Sequence, residues 1–298
     1  METKEALEGG PLVGRELYEH TGLGVFALWK ACNKDREIIT RTVGRPYLRF
    51  DRHVEGYARL SPSPEREFMS YTVVGLKEDG KKIEKRAVEL DAEIKRISEE
   101  KLRLSERVVE DVLERLEGYR DDIRNGACFI IGGDVPLYMA HADPRPERST
   151  GKIVAGSDLD IVVILKDAFP ADTEKSLDEA IYDVKYHLLI RPIRKEEIDY
   201  IIKRLSRVVE QAAFDTFEHM VACKIIDEGR FLWGSKELYD QVIAIIKKNA
   251  IPQKLRELKS RAFEHRKRAI KALLQMEELS EDAYTRLFTT TEEFGEIF

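Results

Sequence analysis

Two aspartates separated by a single residue, Asp158 and Asp160, open an apolar segment at residues 161–165. The apolar segment has no polar alternation, which predicts a strand that is covered on both faces. Alternate side chains of a strand point the same way, so the two carboxylates would lie about 6.6 Å apart along it. Two such charges repel each other and resist burial unless water or a cation reaches them. The pair therefore indicates either two solvated residues at a strand entrance or a site for a hard cation such as Mg²⁺ or Mn²⁺, which takes oxygen ligands.

A glycine pair, Gly132-Gly133, ends an earlier apolar run that begins near Phe129. The residues that follow, 134–141, predict a helix, and its N-terminus would present bare backbone N–H groups beside the glycines. Backbone N–H groups in that position bind phosphate. A phosphate-binding turn together with a pair of metal-binding carboxylates predicts a site that handles a nucleoside triphosphate.

The order Gly132-Gly133, then Ser157-Asp158-Leu159-Asp160 between apolar residues, resembles the active-site signature of the DNA polymerase beta-like nucleotidyltransferase superfamily. The resemblance implies an α+β fold, whose core is a small mixed sheet flanked by helices. It also implies that the amides of Gly132 and Gly133, together with Ser157, hold the triphosphate. Asp158 and Asp160 would then be the catalytic ligands of Mg²⁺ or Mn²⁺.

Two features depart from the family pattern. The spacer between the glycines and the aspartates, residues 134–156, is longer than usual, which implies an inserted loop. The family takes a third acidic residue from a later strand, and residues 183–190 predict such a strand with Asp183 as the nearest candidate. Lys185 falls where a lysine serves in the abortive-infection toxin branch of the family, and both side chains would share one face with His187. Alternatively, Asp183 only ends a helix.

The composition bounds the class of protein. Charged residues make up 36% of the 298, and only three Asn and four Gln occur, which is typical of thermophilic proteins. Cys32, Cys128 and Cys223 lie far apart in apolar surroundings, which predicts buried thiols in a reducing cytoplasm. The sequence lacks a signal-peptide pattern and an apolar run of about 18 residues, so we expect a cytoplasmic protein without a membrane partner. The oligomeric state stays open.

The pattern along the chain predicts four segments. They are a winged-helix-like module at 1–80, a long connecting helix at 81–125, a nucleotidyltransferase-like core at 126–240 and a C-terminal helical region at 241–298. The module is predicted from two short helices joined by a glycine turn and followed by strands. The connecting helix is predicted from apolar residues spaced by three, four or seven between Leu90 and Leu116.

Two further predictions concern element type. Residues 66–76 predict a strand, since aromatic and β-branched residues are frequent there. Residues 194–226 predict a helix with a break, and the acidic residues in its first turn, Asp199 among them, would suit the helix dipole.

Two regions are locally basic although the net charge is −6. Residues 36–59 hold six arginines against three acidic residues, with Tyr47, Phe50 and Tyr57 among them. Residues 247–271 hold ten lysines and arginines against two acidic residues. Such regions suit contact with the phosphates of RNA or DNA, and aromatic side chains can stack on bases. Ordinary solvated basic faces are the alternative.

These features together predict a nucleotidyltransferase. It would transfer a nucleoside monophosphate from a nucleoside triphosphate to a hydroxyl of a nucleic acid, a protein or a small molecule, releasing pyrophosphate. Lys185 would neutralise charge that develops in the transition state. The alternative function is a catalytically degenerate regulator or antitoxin-like module that binds nucleic acid. A purely structural adaptor built on the long helix would leave the glycines and paired acids unexplained.

Overall fold

The structure is a computed structural model that describes residues 3–54, 56–147, 150–191, 195–290 and 293. Its elements begin with α1 (Thr3–Leu7), β1 (Leu12–Val13), α2 (Gly14–Thr21), α3 (Val25–Lys34), β2 (Ile38–Thr42), β3 (Tyr47–Phe50), β4 (Ala58–Ser61), α4 (Pro64–Tyr71), β5 (Thr72–Leu76), α5 (Gly80–Arg115) and α6 (Arg120–Gly126). They continue with β6 (Ala127–Ile131), β7 (Pro144–Pro146), β8 (Ile153–Ala155), β9 (Leu159–Leu165), α7 (Ala171–Leu189), β10 (Ile198–Arg204), α8 (Leu205–Gln211), α9 (Phe217–Glu228), β11 (Arg230–Gly234), α10 (Lys236–Lys248), α11 (Ile251–Gln275) and α12 (Glu281–Ala283). The mixture of helices and small sheets confirms the predicted α+β class.

Contacts within the chain divide it into two units. Unit 1 consists of Met1–Ile94 and Glu257–Phe298, and unit 2 consists of Lys95–Arg256. These boundaries differ from those predicted at residues 80, 125 and 240, because α5 and α11 each contribute residues to both units.

Unit 2 is built on a four-stranded mixed sheet with the order β10-β9-β6-β11. Strand β9 pairs antiparallel with β6 and parallel with β10. A parallel pair needs a crossover connection, and α7 provides it between β9 and β10. Residues 161–165 of β9 are buried, as their unbroken apolar run predicts.

The sheet of unit 2 is held by one apolar cluster. Helix α5 contributes Val112 and Leu113, α7 contributes Leu177, and the strands contribute Phe129 and Val163. All five side chains are buried, and removing this apolar surface from water is the main stabilising contribution to such a layer. This apolar packing holds in place the strands that carry the aspartates at one end of the sheet.

Unit 1 contains a three-stranded antiparallel sheet, β1-β5-β2, and the two-stranded ribbon β3-β4. Helices α2 and α3 confirm the two short helices predicted from the sequence. Gly22 ends α2 in the left-handed conformation, with φ 65°, and its N–H donates to the Tyr18 carbonyl.

The strand predicted at residues 66–76 is wrong over its first half. Helix α4 covers Pro64–Tyr71, and only Thr72–Leu76 forms a strand. The helix begins here because the Ser63 side chain accepts a hydrogen bond from the Arg66 N–H and Pro64 takes the first helical position.

The strand predicted at residues 183–190 is also wrong, because these residues belong to the end of α7 or directly follow it. The buried residues of this region, Leu177, Ile181, Val184 and Leu188, recur every three or four positions. That is the period of a helix rather than of a strand.

The helix predicted from residue 194 to 226 is interrupted by a strand. Arg194 itself lies outside the described residues. Residues Ile198–Arg204 form β10, and the helices α8 and α9 follow it. Pairing of β10 with β9 over seven residues outweighs the acidic residues that suggested a helix start.

The helices and the cysteines of the chain test two predictions made from the composition. Among the described residues, no helix is both long and apolar enough to cross a membrane.

Cys32, Cys128 and Cys223 are buried free thiols, as predicted. Burial raises the pKa of Cys32 and of Cys128 to about 12, so both thiols stay protonated at neutral pH.

Candidate metal centre

Three aspartates come together at one end of the sheet of unit 2. One carboxylate oxygen each of Asp158, Asp160 and Asp199 can be chosen so that all three lie within 4.8 Å of one another. Asp160 and Asp199 are register partners on the parallel strands β9 and β10, so their side chains point to the same face. Asp158 stands directly before β9, two residues from Asp160, and shares that face. Strand pairing thus explains the cluster.

The charges of this cluster act on Asp160, which is partly buried. Burial raises its pKa well above the usual range, and the neighbouring carboxylates of Asp158, Asp134 and Asp199 raise it further. The nearby cation of Lys224 opposes them. Carboxylates that resist joint ionisation are stabilised by a divalent cation, and an all-oxygen donor set suits Mg²⁺ or Mn²⁺. The donor set therefore fits the predicted metal.

The predicted glycine turn lies beside these aspartates. Gly132 follows β6, and its N–H donates to the Asp160 carbonyl at 2.8 Å. Gly133 has φ +67°, and a Cβ placed on it would meet the Asp160 Oδ2 at 2.0 Å. Only glycine permits both the left-handed backbone and this close approach. However, residues 134–138 form turns and residues 139–141 form no regular element, so the predicted helix and its N-terminus are wrong.

Ser157 is buried behind the glycine turn. Its hydroxyl donates to the Asp134 Oδ2 at 3.0 Å and accepts a bond from the His141 N–H at 3.2 Å. The Ser157 N–H in turn donates to the His141 carbonyl at 3.1 Å. These bonds use the hydroxyl to fix the segment that leads into Asp158. Its predicted contact with phosphate stays a prediction.

No protein-family model matches the chain, and no curated protein matches it in sequence. The interpretation of the site therefore rests on the chemistry and geometry of its own residues.

An arginine from the inserted segment reaches the aspartates. Arg145 lies on β7, and its guanidinium is 3.5 Å from the Asp158 Oδ2 and 2.7 Å from the Glu197 Oε2. Its Nε donates to the Gly156 carbonyl at 2.9 Å. Burial raises the pKa of Glu197, and the Arg145 charge lowers it. The inserted loop predicted from the long spacer thus contains the β7-β8 hairpin, and it orients Asp158.

Lys101 is a positioning residue that the sequence predictions missed. Its ammonium is buried and donates to the carbonyls of Ala155 and Ser157, both at 2.6 Å. It also pairs with the Glu196 carboxylate at 2.5 Å. Because Ser157 precedes β9 and Glu196 precedes β10, Lys101 joins the entrances of the two strands that carry the aspartates. The signal in the sequence was a lysine in the apolar stripe of α5 between Ile97 and Leu104.

The two remaining predicted site residues lie on α7. Asp183 is exposed and does not belong to the aspartate cluster. Lys185 points to the site, with its ammonium 3.5 Å from the Asp199 Oδ1. Asp199, and not Asp183, lies with Asp158 and Asp160, because β10, and not residues 183–190, is the strand that pairs parallel with β9.

Replacing Gly133 by alanine is expected to weaken the binding of Mn²⁺ about tenfold, an effect typical of residues that orient metal ligands. The added Cβ would displace the Asp160 carboxylate, which lies 2.0 Å from its position. Isothermal titration with Mn²⁺ measures the change.

Gly151→Ala provides a matched control for Gly133→Ala. Gly151 has the same φ of +67°, but nothing lies within 4 Å of the Cβ it would gain. Both variants should lose about 1–2 kcal/mol of stability from the left-handed backbone. Only Gly133→Ala should also lose Mn²⁺ affinity; equal affinities in the two variants would contradict the contact with Asp160.

Proposed function

We propose that this protein is a metal-dependent nucleotidyltransferase, which transfers a nucleoside monophosphate from a nucleoside triphosphate to an acceptor hydroxyl and releases pyrophosphate. One observation carries the proposal: three aspartates on neighbouring strands lie directly beside a glycine turn that only glycine can form. The order of these residues along the chain also resembles the DNA polymerase beta-like superfamily. Asp199 supplies the third acidic residue that the resemblance implies.

Asp158, Asp160 and Asp199 would hold Mg²⁺ or Mn²⁺. The bound metal would lower the pKa of the acceptor hydroxyl and neutralise charge on the phosphates. Asp199 is exposed, so its carboxylate is accessible to an acceptor and can take a proton from the acceptor hydroxyl. Asp160 is more buried, which suits a ligand that must not move.

The glycine turn would hold the polyphosphate. The Gly132 N–H is already donated to the Asp160 carbonyl, which leaves the Gly133 N–H of the turn for a phosphate oxygen. The missing side chain at Gly133 lets the turn lie directly against the Asp160 carboxylate, so a phosphate held by this N–H would lie close to the metal ligands. Lys185, 3.5 Å from Asp199, is placed to neutralise negative charge during transfer.

We further propose that unit 1 contains the winged-helix-like module. Helices α2 and α3 are followed by the antiparallel strands β2 and β5, and β1 completes their sheet. The ribbon β3-β4 and helix α4 lie between β2 and β5 in the sequence. A helix pair followed by an antiparallel ribbon is the order on which the prediction was based.

Thermal unfolding with each of the four ribonucleoside triphosphates tests the binding part of the proposal. We expect the midpoint to rise by several degrees when a triphosphate and Mg²⁺ are both present at about 100 times the dissociation constant, which corresponds to roughly 2.7 kcal/mol. Either component alone should give a smaller shift. If no triphosphate shifts the midpoint while nucleic acid still binds, the degenerate regulator is the better assignment.

The chemistry is tested by incubation with labelled triphosphates and a cell extract. Label on the α-phosphate should appear on an acceptor, and label on the γ-phosphate should appear in pyrophosphate. Transfer of the γ-label to the acceptor would contradict nucleotidyl transfer and indicate a kinase. The labelled molecule identifies the acceptor class.

A further inference from the structure

A cleft of about 450 Å³ in unit 1 is lined mainly by basic residues. Its walls come from α11, the segment after α12, the loop before β4 and the first residue of β4: Arg261, His265, Arg268, Arg286, Leu287, His53, Val54, Gly56 and Ala58. None of these described residues is acidic; Glu55, in the same loop, lies outside the described residues. The volume is that of a site for a small organic group such as a nucleotide.

The basic wall is a continuous stripe on one helix. Arg261, His265 and Arg268 are spaced by four and three residues, so they lie on the same face of α11. Arg261 and Arg268 are exposed, and Arg261 forms no ion pair with the described residues. Arg286, by contrast, pairs with Asp282 at 3.4 Å. Two arginines therefore face the cleft without a close carboxylate partner among the described residues.

His265, which lines the cleft, is surrounded by arginines. Burial lowers its pKa, and the charges of Arg59, Arg268, Arg266 and Arg286 lower it further. Guanidinium groups that disfavour a further positive charge favour an anion in the same place. Arg59, Arg266 and Arg286 are ion-paired with Asp51, Glu67 and Asp282, so the positive charge available to an anion in the cleft is that of Arg261 and Arg268.

The segment that lines the cleft also contains an exposed aromatic residue. Tyr57 stands between Gly56 and Ala58, which both line the cleft, and is 38% exposed. Its φ of 62° is unfavourable for a side chain of this size. Two backbone bonds fix it there: the Asp51 N–H donates to the Tyr57 carbonyl and the Tyr57 N–H to the Val54 carbonyl, both at 2.8 Å. Strain of this kind clusters at functional sites, and among the described residues Tyr138, Phe214 and Ala250 also have a positive φ.

We propose that this cleft binds the phosphate backbone of a single-stranded nucleic acid, with Arg261 and Arg268 on phosphate oxygens and Tyr57 stacked on an adjoining base. Guanidinium groups match phosphate oxygens in a bidentate geometry. An exposed ring can stack only on a base that is not already stacked in a duplex, which favours a single strand. The inference does not depend on the transfer reaction of unit 2, since a binding module would use the cleft equally.

Fluorescence anisotropy with labelled 12-nucleotide single strands of RNA and DNA, on the full chain in EDTA and without triphosphate, tests this site. Arg261→Ala combined with Arg268→Ala should weaken binding at least tenfold. It should also reduce the slope of log affinity against log salt by about 1.4, because each phosphate contact contributes about 0.7. A failure of nucleotidyl transfer would not affect this result, because the assay contains neither metal nor triphosphate.

Lys267→Ala combined with Lys271→Ala is the matched control. Both lysines are exposed on α11, carry the same total charge and do not line the cleft. This variant should change the affinity by less than about threefold. Equal losses in the two double variants would mean diffuse attraction to a basic helix and would overturn the proposal.

Tyr57→Ala separates stacking from charge. It should weaken single-strand binding about tenfold while the salt slope stays unchanged, because a stacked ring contacts no phosphate. Single-strand affinity that Tyr57→Ala leaves intact would overturn the stacking contact. Displacement of the strand by inorganic phosphate at similar concentrations would indicate a site for a small free anion instead.

Discussion

Replacing Asp199 by alanine is expected to abolish nucleotidyl transfer, whereas replacing Asp183 by alanine should leave the rate unchanged. Asp199 lies on β10 as the register partner of Asp160, and its carboxylate belongs to the cluster with Asp158 and Asp160. In the proposed reaction, loss of one ligand would remove a metal that stabilises several kcal/mol of developing charge, so kcat/KM should fall by at least about a thousandfold. Asp183 is exposed on α7 and outside the cluster.

The measurement is transfer of α-labelled nucleotide together with Mn²⁺ titration. Asp158→Ala and Asp160→Ala should match Asp199→Ala in both assays, while Asp183→Ala matches the unchanged protein. Activity that survives Asp199→Ala but not Asp183→Ala would overturn the assignment. Each variant should still unfold cooperatively, since these carboxylates repel one another and contribute no apolar packing.

The repulsion among these carboxylates also allows a stability measurement to distinguish the loss of a metal ligand from damage to the fold. Because the folded-state pKa of Asp160 is raised, the metal-free protein should lose stability as the pH rises from about 4 through that higher pKa. Asp160→Asn should therefore be more stable than the unchanged protein at neutral pH in EDTA, and less stable than it with Mn²⁺. A variant that is less stable in both conditions has lost more than a charge.

The residues of the site that adjoin an apolar strand in the sequence could be predicted from the sequence alone. Asp158, Asp160 and the glycine pair lie next to apolar runs whose strand character is evident from composition. Asp199 could not be predicted, because its place depends on parallel pairing between β10 and β9 across the intervening α7. Register is set by burial of one face and by partner strands, which no window of the sequence contains.

The helix predicted in place of β10 was wrong for the same reason, since contacts between residues far apart in the sequence decide the structure there. The acidic residues before β10 resemble the first turn of a helix, but Glu196 pairs with Lys101 and Glu197 with Arg145. Both carboxylates are thus used in tertiary ion pairs and not in a helix cap. The role of the buried Lys101 could not be predicted either. A lysine in an apolar stripe is stable only when it has carbonyl and carboxylate partners, and the fold brings these to Lys101.

The C-terminal part of the chain supplies the other large expected effect, which is on stability. Glu293 is 2% exposed and accepts bonds from the Ser63 N–H and the Ser61 hydroxyl, both at 3.1 Å. It also lies 3.6 Å from Arg66 and 3.9 Å from Arg49. Glu293→Ala would remove the buried carboxylate from its pair with Arg66, and breaking a buried ion pair typically costs about 3–5 kcal/mol. Urea unfolding at pH 7 measures this loss; Glu264→Ala, at an exposed pair with Lys267, should barely change stability.

The pH dependence separates a loss of charge from a loss of packing. Burial raises the pKa of Glu293, but the charges of Arg66 and Arg49 and the bonds from Ser63 lower it to about 2. A folded pKa below the unfolded value of about 4.3 means that the stabilisation is complete above that value and is lost as the pH falls toward 2. The stability difference between the unchanged protein and Glu293→Ala should therefore be largest near neutral pH and shrink in acid. A difference that stays constant from pH 7 to pH 3 would show that Glu293 stabilises unit 1 by its volume and not by its charge.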